Sequence, residues 1–209
     1  MSTPAASIAT PFQEPTSAAT EFQALSFLIA QRLRQVQTMI VVEVMAVHGG
    51  GVGPVGTVDV LPLVDQVDGA GKAVPHTTIY GRPYQRIQGG NNAFVIDPVE
   101  GDLGVCVFAS RDISAVIASK SHGPPPSNRR FSYADGVYLP GTLNGTPQNY
   151  LSFDNAGNAT LLAVNSLTLN AGGKIITIDS SGITIDGILW ETHYHPGVQS
   201  GGSDTGPPA

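Results

Sequence analysis

Leu167-Thr168-Leu169-Asn170-Ala171-Gly172-Gly173-Lys174-Ile175-Ile176-Thr177-Ile178-Asp179-Ser180-Ser181-Gly182-Ile183-Thr184-Ile185 is the stretch that decides the fold. The pairs Leu167/Leu169, Ile176/Ile178 and Ile183/Ile185 alternate with Thr, Asn and Asp, the period of a strand with one apolar face. Ala171-Gly172-Gly173 and Ser180-Ser181-Gly182 cut the run into short pieces, so the pairs return in the manner of β-repeats winding around an axis. Leu151/Phe153, followed by Asn155-Ala156-Gly157-Asn158, begins the same pattern. The chain holds 16 prolines, yet none falls between Pro147 and Pro196, and backbone pairing can run through the whole section. From Tyr150 to Trp190 the charged residues are Asp154, Lys174, Asp179 and Asp186 alone. So thin a strip cannot bury its own apolar face. Three copies wrapped together would supply the core, pair every strand edge and leave Thr, Ser and Asn outward, which predicts a rigid trimeric needle.

Just beyond the repeats stands Trp190-Glu191-Thr192-His193-Tyr194-His195-Pro196-Gly197. In an extended strand residues i and i+2 share a face, so His193 and His195 can present both imidazoles to one ion. One chain offers two nitrogens; three chains around an axis would close an octahedral shell. An all-nitrogen octahedron suits iron(II), or another late first-row divalent ion, better than tetrahedral zinc. Catalytic metals keep a coordination position open, so a six-ligand ion would be mechanical, tying three chains together. The tail from Gly197 to Ala209, with Gly, Ser and Pro but no Lys or Arg, can fold back as a cap.

Working back toward the start, Met39 to Val47, Gly56 to Val64, Val74 to Tyr80, Ala93 to Ile96 and Leu103 to Ser110 read as short strands. Gly49-Gly50-Gly51-Val52-Gly53-Pro54, Asp68-Gly69-Ala70-Gly71 and Gln88-Gly89-Gly90-Asn91 separate them. The number of strands suits a small closed barrel of the oligonucleotide/oligosaccharide-binding (OB) type, over residues 38–125. Gly51 to Gly56 has the look of half a phosphate loop, but Thr57 stands where the Lys should be, and the segment reads as a hairpin loop. His122-Gly123-Pro124-Pro125-Pro126 ends the barrel in a stiff linker, and 126–149 reads as a neck. Before the barrel, residues 1–19 read as a loose arm. Thr20 with Gln23 makes a capping box, and Phe22, Leu25, Ile29, Leu33 and Val36 mark one face of an amphipathic helix over about 21–37.

Composition narrows the function. Charged residues are 12% of the 209, against about a quarter in an ordinary soluble domain, as expected of a chain that buries surface against copies of itself. The net charge of -6, with no long Lys/Arg run, argues against nucleic acid as a partner. Cys106, the single cysteine, lies in Val105-Cys106-Val107-Phe108 and reads as a buried small hydrophobe. The apolar patch Leu25 to Ala30 is too short to span a membrane, and no secretory signal is visible, so work outside the cytoplasm would require leaving within a larger particle. His48, His76 and His122 read as structural or solvated. There is no Gly-x-Ser-x-Gly elbow and no His-Glu-x-x-His helix, and Asp97, Glu100 and Asp102 cluster in a turn. No enzyme and no small-molecule substrate are expected.

With these pieces placed, the chain resembles the central spike, or membrane-piercing, proteins at the tail-tube tip of contractile-tailed bacteriophages and related injection machines. Pro98-Val99-Glu100-Gly101-Asp102-Leu103-Gly104-Val105-Cys106-Val107-Phe108, then Arg111-Asp112, is similar to the family's barrel signature. Arg129-Arg130-Phe131-Ser132-Tyr133-Ala134-Asp135-Gly136-Val137 with Leu139-Pro140-Gly141 resembles its neck, and His193-x-His195-Pro196-Gly197 with Thr205-Gly206-Pro207-Pro208 its apex. The resemblance covers about residues 38–209 and leaves the arm and helix unmatched. It implies an all-β homotrimer: an N-terminal helix and an OB-type barrel (38–125), a neck (126–149), a triple-stranded β-helix (150–190) and a metal-binding apex (191–209). It implies one Fe(II) per trimer on His193 and His195, baseplate hub or tail-tube proteins as partners, and a place at the virion's baseplate tip. The host outer membrane would be pierced there during contraction. No lysozyme domain separates barrel from needle, so puncture is implied without peptidoglycan hydrolysis. Two other readings accompany it: a β-helical cell-surface polysaccharide-binding protein, and the spike of a bacterial secretion or bacteriocin machine. A cell-wall hydrolase would need peptidoglycan activity that is lost on changing Glu100 or Asp102.

Overall fold

The computed structural model describes residues 20–68 and 70–193. The predicted arm (1–19), His195 and the tail from Gly197 lie outside them. The chain is mostly β, 39% strand against 15% helix, and divides into two compact units, Met1–Asn144 and Gly145–Ala209.

The first unit opens with α1 (Glu21–Arg34), whose N-cap is Thr20 as the capping pattern predicts: its Oγ1 accepts from the Gln23 N–H at 3.2 Å. The Gln23 side chain accepts from the Thr20 hydroxyl instead of reaching back to the backbone, so the box is closed by side chains. Glu21 in the first turn and Arg32 and Arg34 in the last complement the helix dipole. Phe22, Leu25, Ile29 and Leu33 are exposed.

Five strands then make one sheet in the order β5-β2-β1-β8-β9: β1 (Met39–His48), β2 (Thr57–Pro62), β5 (Ile79–Pro83), β8 (Leu103–Phe108) and β9 (Gly136–Leu139), every pairing antiparallel. Its two end strands also meet, since Tyr84 and Tyr138 form a parallel bridge and the Gln85 N–H donates to the Tyr138 carbonyl at 2.8 Å. Two small hairpins lie between: β3 (Gln66–Val67) with β4 (Ala73–Val74), and β6 (Ile87–Gly89) with β7 (Asn92–Phe94). A helical turn, α2 (Ser114–Ser119), follows β8. Alternation along the strands sets the core: Val42 and Val44, Val58 and Val60, Cys106 and Phe108, with Tyr84 and Tyr138, are all buried. Small residues make room for large ones. A Cβ on Gly104 would stand 2.6 Å from the Tyr138 ring and 2.5 Å from the Leu139 carbonyl, and one on Gly136 would stand 2.6 Å from Cys106 Sγ.

Three sequence expectations change here. The run Val74 to Tyr80 is not one strand: Pro75 has no N–H to give a ladder, and pairing stops at Val74 and resumes at Ile79. The segment 126–149, read as neck, contributes β9 to the sheet. Its end is tied to the first unit, because Asn144 accepts from the Leu103 N–H at 2.7 Å and donates to Asp102 at 2.9 Å. The division between the two compact units falls between Asn144 and Gly145. Gly49 to Pro54 is the loop joining β1 to β2, as expected. Asp97, however, leaves the Glu100–Asp102 turn and takes hydrogen bonds from the Gly51 N–H, the Tyr84 hydroxyl and Arg86.

The Arg129-to-Asp135 stretch acts as a latch. The Arg129 guanidinium lies 2.8 Å from Asp112 and 3.2 Å from the fully buried Asp135, so one cation holds two carboxylates from separate segments. The Ser114 hydroxyl, then that of Ser127, hold the Asp112 carboxyl well below the usual carboxylate range. A group depressed in the folded state gives stability present above its unfolded value, about pH 4, and lost as pH falls toward the folded one. Calorimetry between pH 5 and 2 is expected to show the melting temperature falling less steeply in Asp112→Asn than in the wild type.

The Tyr138 hydroxyl is buried and, among the described residues, has no hydrogen-bond partner. Burial pushes its pKa up to about 12, with the charge of Asp102 adding to it. An unmet buried hydroxyl is a cost, so Tyr138→Phe is expected to raise stability by about 1 kcal/mol, read from the urea midpoint.

The second unit is built of hairpins. β10 (Tyr150–Phe153) pairs with β11 (Ala159–Leu162), and β12 (Leu167–Ala171), β13 (Lys174–Asp179), β14 (Gly182–Ile185) and β15 (Ile188–Leu189) form a meander in that order. Asp154 closes the first hairpin by accepting from the Ala156 and Asn158 N–H groups, and Asp179 does the same for Ser181. In the meander, Leu167, Ile178 and Ile183 stand opposite one another, as do Leu169, Ile176 and Ile185. Thr168, Thr177 and Thr184 make a row on the other face. Leu169, Ile176, Ile178, Ile183 and Ile185 all remain exposed within the single chain, at 37% to 50%.

Candidate metal centre

The β14 to β15 connection is Asp186-Gly187, with φ of 49° and 81°, the two positive values that a tight two-residue hairpin requires. Asp-Gly between apolar pairs signals such a turn, and this one brings the chain back to Trp190. Asp186 also binds Lys174 Nζ at 2.7 Å and accepts from the Ile175 N–H at 3.0 Å. The lysine, and then that N–H, hold its carboxyl below the ordinary value.

After β15 the chain makes a single 3-10 turn, Trp190–Thr192, and His193 follows in extended conformation. Glu191 pins the turn to β14 by accepting from the Ile183 N–H at 3.0 and 3.3 Å. Gly182 provides the space: its φ is +123°, and a Cβ there would lie 2.7 Å from the Glu191 carboxylate. The His193 ring stacks on Trp190, centroids 4.7 Å apart and planes 25° from parallel. Its Nδ1 lies 2.7 Å from the Trp190 carbonyl. A carbonyl oxygen can only accept, so the proton sits on Nδ1 and the lone pair of the neutral ring on Nε2. Metal-bound histidines are commonly oriented in this way, the second nitrogen donating to a carbonyl, and in this respect His193 fits a ligand role.

No protein-family model matches this chain, and neither does any curated protein. Among the described residues no three His, Cys, Asp or Glu side chains converge as a metal-binding group, and one chain was expected to bring two imidazoles. His193 is placed, and its predicted companion His195 lies outside the described residues. Trp190 and Glu191 entered the sequence reading as neighbours of the histidines, without roles. The Nδ1 contact and the ring stack follow from the 3-10 turn, and no local pattern announces that turn.

His48, His76, Cys106 and Asp102 have structural settings. His48 Nε2 is 2.9 Å from Asp59, and His76 meets the Tyr133 ring edge-on at 5.8 Å. Cys106 is fully buried, and burial pushes its thiol up to about 12, so it is a protonated core residue near neutral pH. Asp102 caps its own turn, accepting from the Val99 N–H at 2.9 Å.

Proposed function

We propose that this chain is the central spike of a contractile tail: a homotrimer with an OB-type barrel on the baseplate hub, a triple-stranded β-helical needle and an iron-bound tip. It would pierce the host outer membrane as the tail contracts. One observation carries this reading. The meander β12–β14 presents an apolar face of Leu167, Leu169, Ile176, Ile178, Ile183 and Ile185 that its own chain covers only in part, the condition of a sheet made to close against copies of itself. The end-to-end meeting of β5 and β9 supports the barrel, and the orientation of His193 supports the tip.

The mechanism follows from stiffness. Paired strands joined by Asp-closed turns resist bending, and wrapping three chains removes the unpaired edges at which a single ribbon would fray under load. At the tip, His193 and His195 of three chains would hold the ion. When bound, it supplies a cross-link with no open position for substrate or water. The same device would serve a phage tail or a secretion or bacteriocin machine. Anomalous X-ray scattering across the iron edge, on crystals of the whole protein, tests it. One peak on a threefold axis beside His193 is expected, absent in His193→Ala while the β5-β2-β1-β8-β9 sheet stays folded. A full peak in that variant, or imidazoles turned away from any axis, would contradict the reading.

A further inference from the structure

We infer that Trp190 is a positioning residue for His193, and that Gly182 and Glu191 hold the turn that carries them both; this rests on the metal-tip reading above. A histidine near a chain end ordinarily has both side-chain torsions to order before it can ligate, and that ordering subtracts from affinity. Here two restraints act on one ring. The Trp190 carbonyl fixes the protonated nitrogen at 2.7 Å, and the indole face fixes the ring plane at 4.7 Å. Both restraints come from a residue on a turn that is anchored in its turn, since Glu191 takes the Ile183 N–H into the gap left by the missing side chain of Gly182. The sheet thus extends its rigidity to the imidazole through four residues. His193 would meet an ion with its tautomer and plane already set, as supported ligands do.

Cobalt(II) alone, added to the full-length protein, is the probe, because it accepts octahedral nitrogen donors. Trp190 is the only tryptophan of the chain, so its emission reports the tip alone. Cobalt(II) on the stacked imidazole should quench it, and in metal-free protein the indole ring current should shift the His193 side-chain protons upfield. With affinity read by titration calorimetry, which needs no tryptophan, Trp190→Phe, which keeps a stacking face, should bind close to wild type. Trp190→Ala and Glu191→Ala should bind about 10- to 100-fold more weakly. Glu191→Gln keeps an acceptor for the Ile183 N–H and should rescue most of that loss. If Trp190→Ala binds cobalt(II) as tightly as wild type, or the His193 protons resonate unshifted, the positioning role is overturned and the metal tip stands. If the wild type binds no cobalt(II), the tip reading itself fails and the inference goes with it.

Discussion

Ile178→Asp is expected to release the protein as monomers in sedimentation, whereas Thr177→Lys, one residue away on the opposite face of β13, leaves the assembly intact. The two substitutions differ in what each face meets. Ile178 stands between Leu167 and Ile183 in the middle of the apolar rows, while Thr177 stands between Thr168 and Thr184. In an isolated chain Ile178 is 42% exposed, and a carboxylate there would still touch water, costing about 1–2 kcal/mol in strand preference and cross-strand contact without changing the sedimenting mass. In a closed trimer three carboxylates would enter one apolar interior without partners. Each would cost several kcal/mol or have to take up a proton. The outcomes are separated by far more than the error of either measurement. If the second unit were monomeric, neither substitution would change the sedimenting mass.

Tyr138→Ala is the counterpart in the first unit, with an expected loss of about 3–5 kcal/mol. That is a large share of the roughly 5–15 kcal/mol by which domains are stable. Tyr138, in β9, is fully buried, its ring filling the space that Gly104 leaves on β8, and its backbone carries the bridge to Tyr84 and Gln85 that joins the two end strands. Removing the ring opens a cavity where a glycine cannot fill it. The effect belongs to the ring and not to the hydroxyl, so Tyr138→Ala and Tyr138→Phe should move the denaturation midpoint in opposite directions. Equal losses in the two variants would mean that the hydroxyl has a partner of its own.

Much of this was legible residue by residue. Thr20 announced the start of α1, and the Val-rich alternation of 39–48 and 103–108 announced β1 and β8. The Gly49 to Pro54 loop joined the strands expected of it, and the Leu/Ile pairs of 167–185 became β12, β13 and β14. What escaped was short or long-range. β9 is four residues ending before Pro140, too brief for a period, and it is a strand because β8 lies beside it. The α2 turn is likewise shorter than a helical repeat can declare. Arg129 sits outside the sheet strands, and nothing near it in sequence says that Asp112 and Asp135 will both reach it. At the tip the His-x-His spacing was visible at once. The restraints on His193 depend on Gly182, nearly a full hairpin earlier, and a contact of that kind exists only after the strands have paired.

Threefold association is the claim on which needle and tip both depend, and sedimentation equilibrium of the purified wild-type chain measures it most directly. A single species with three times the 21.7 kDa chain mass is expected, carrying one transition-metal ion per three chains. A species of 21.7 kDa that persists at micromolar concentration would contradict it.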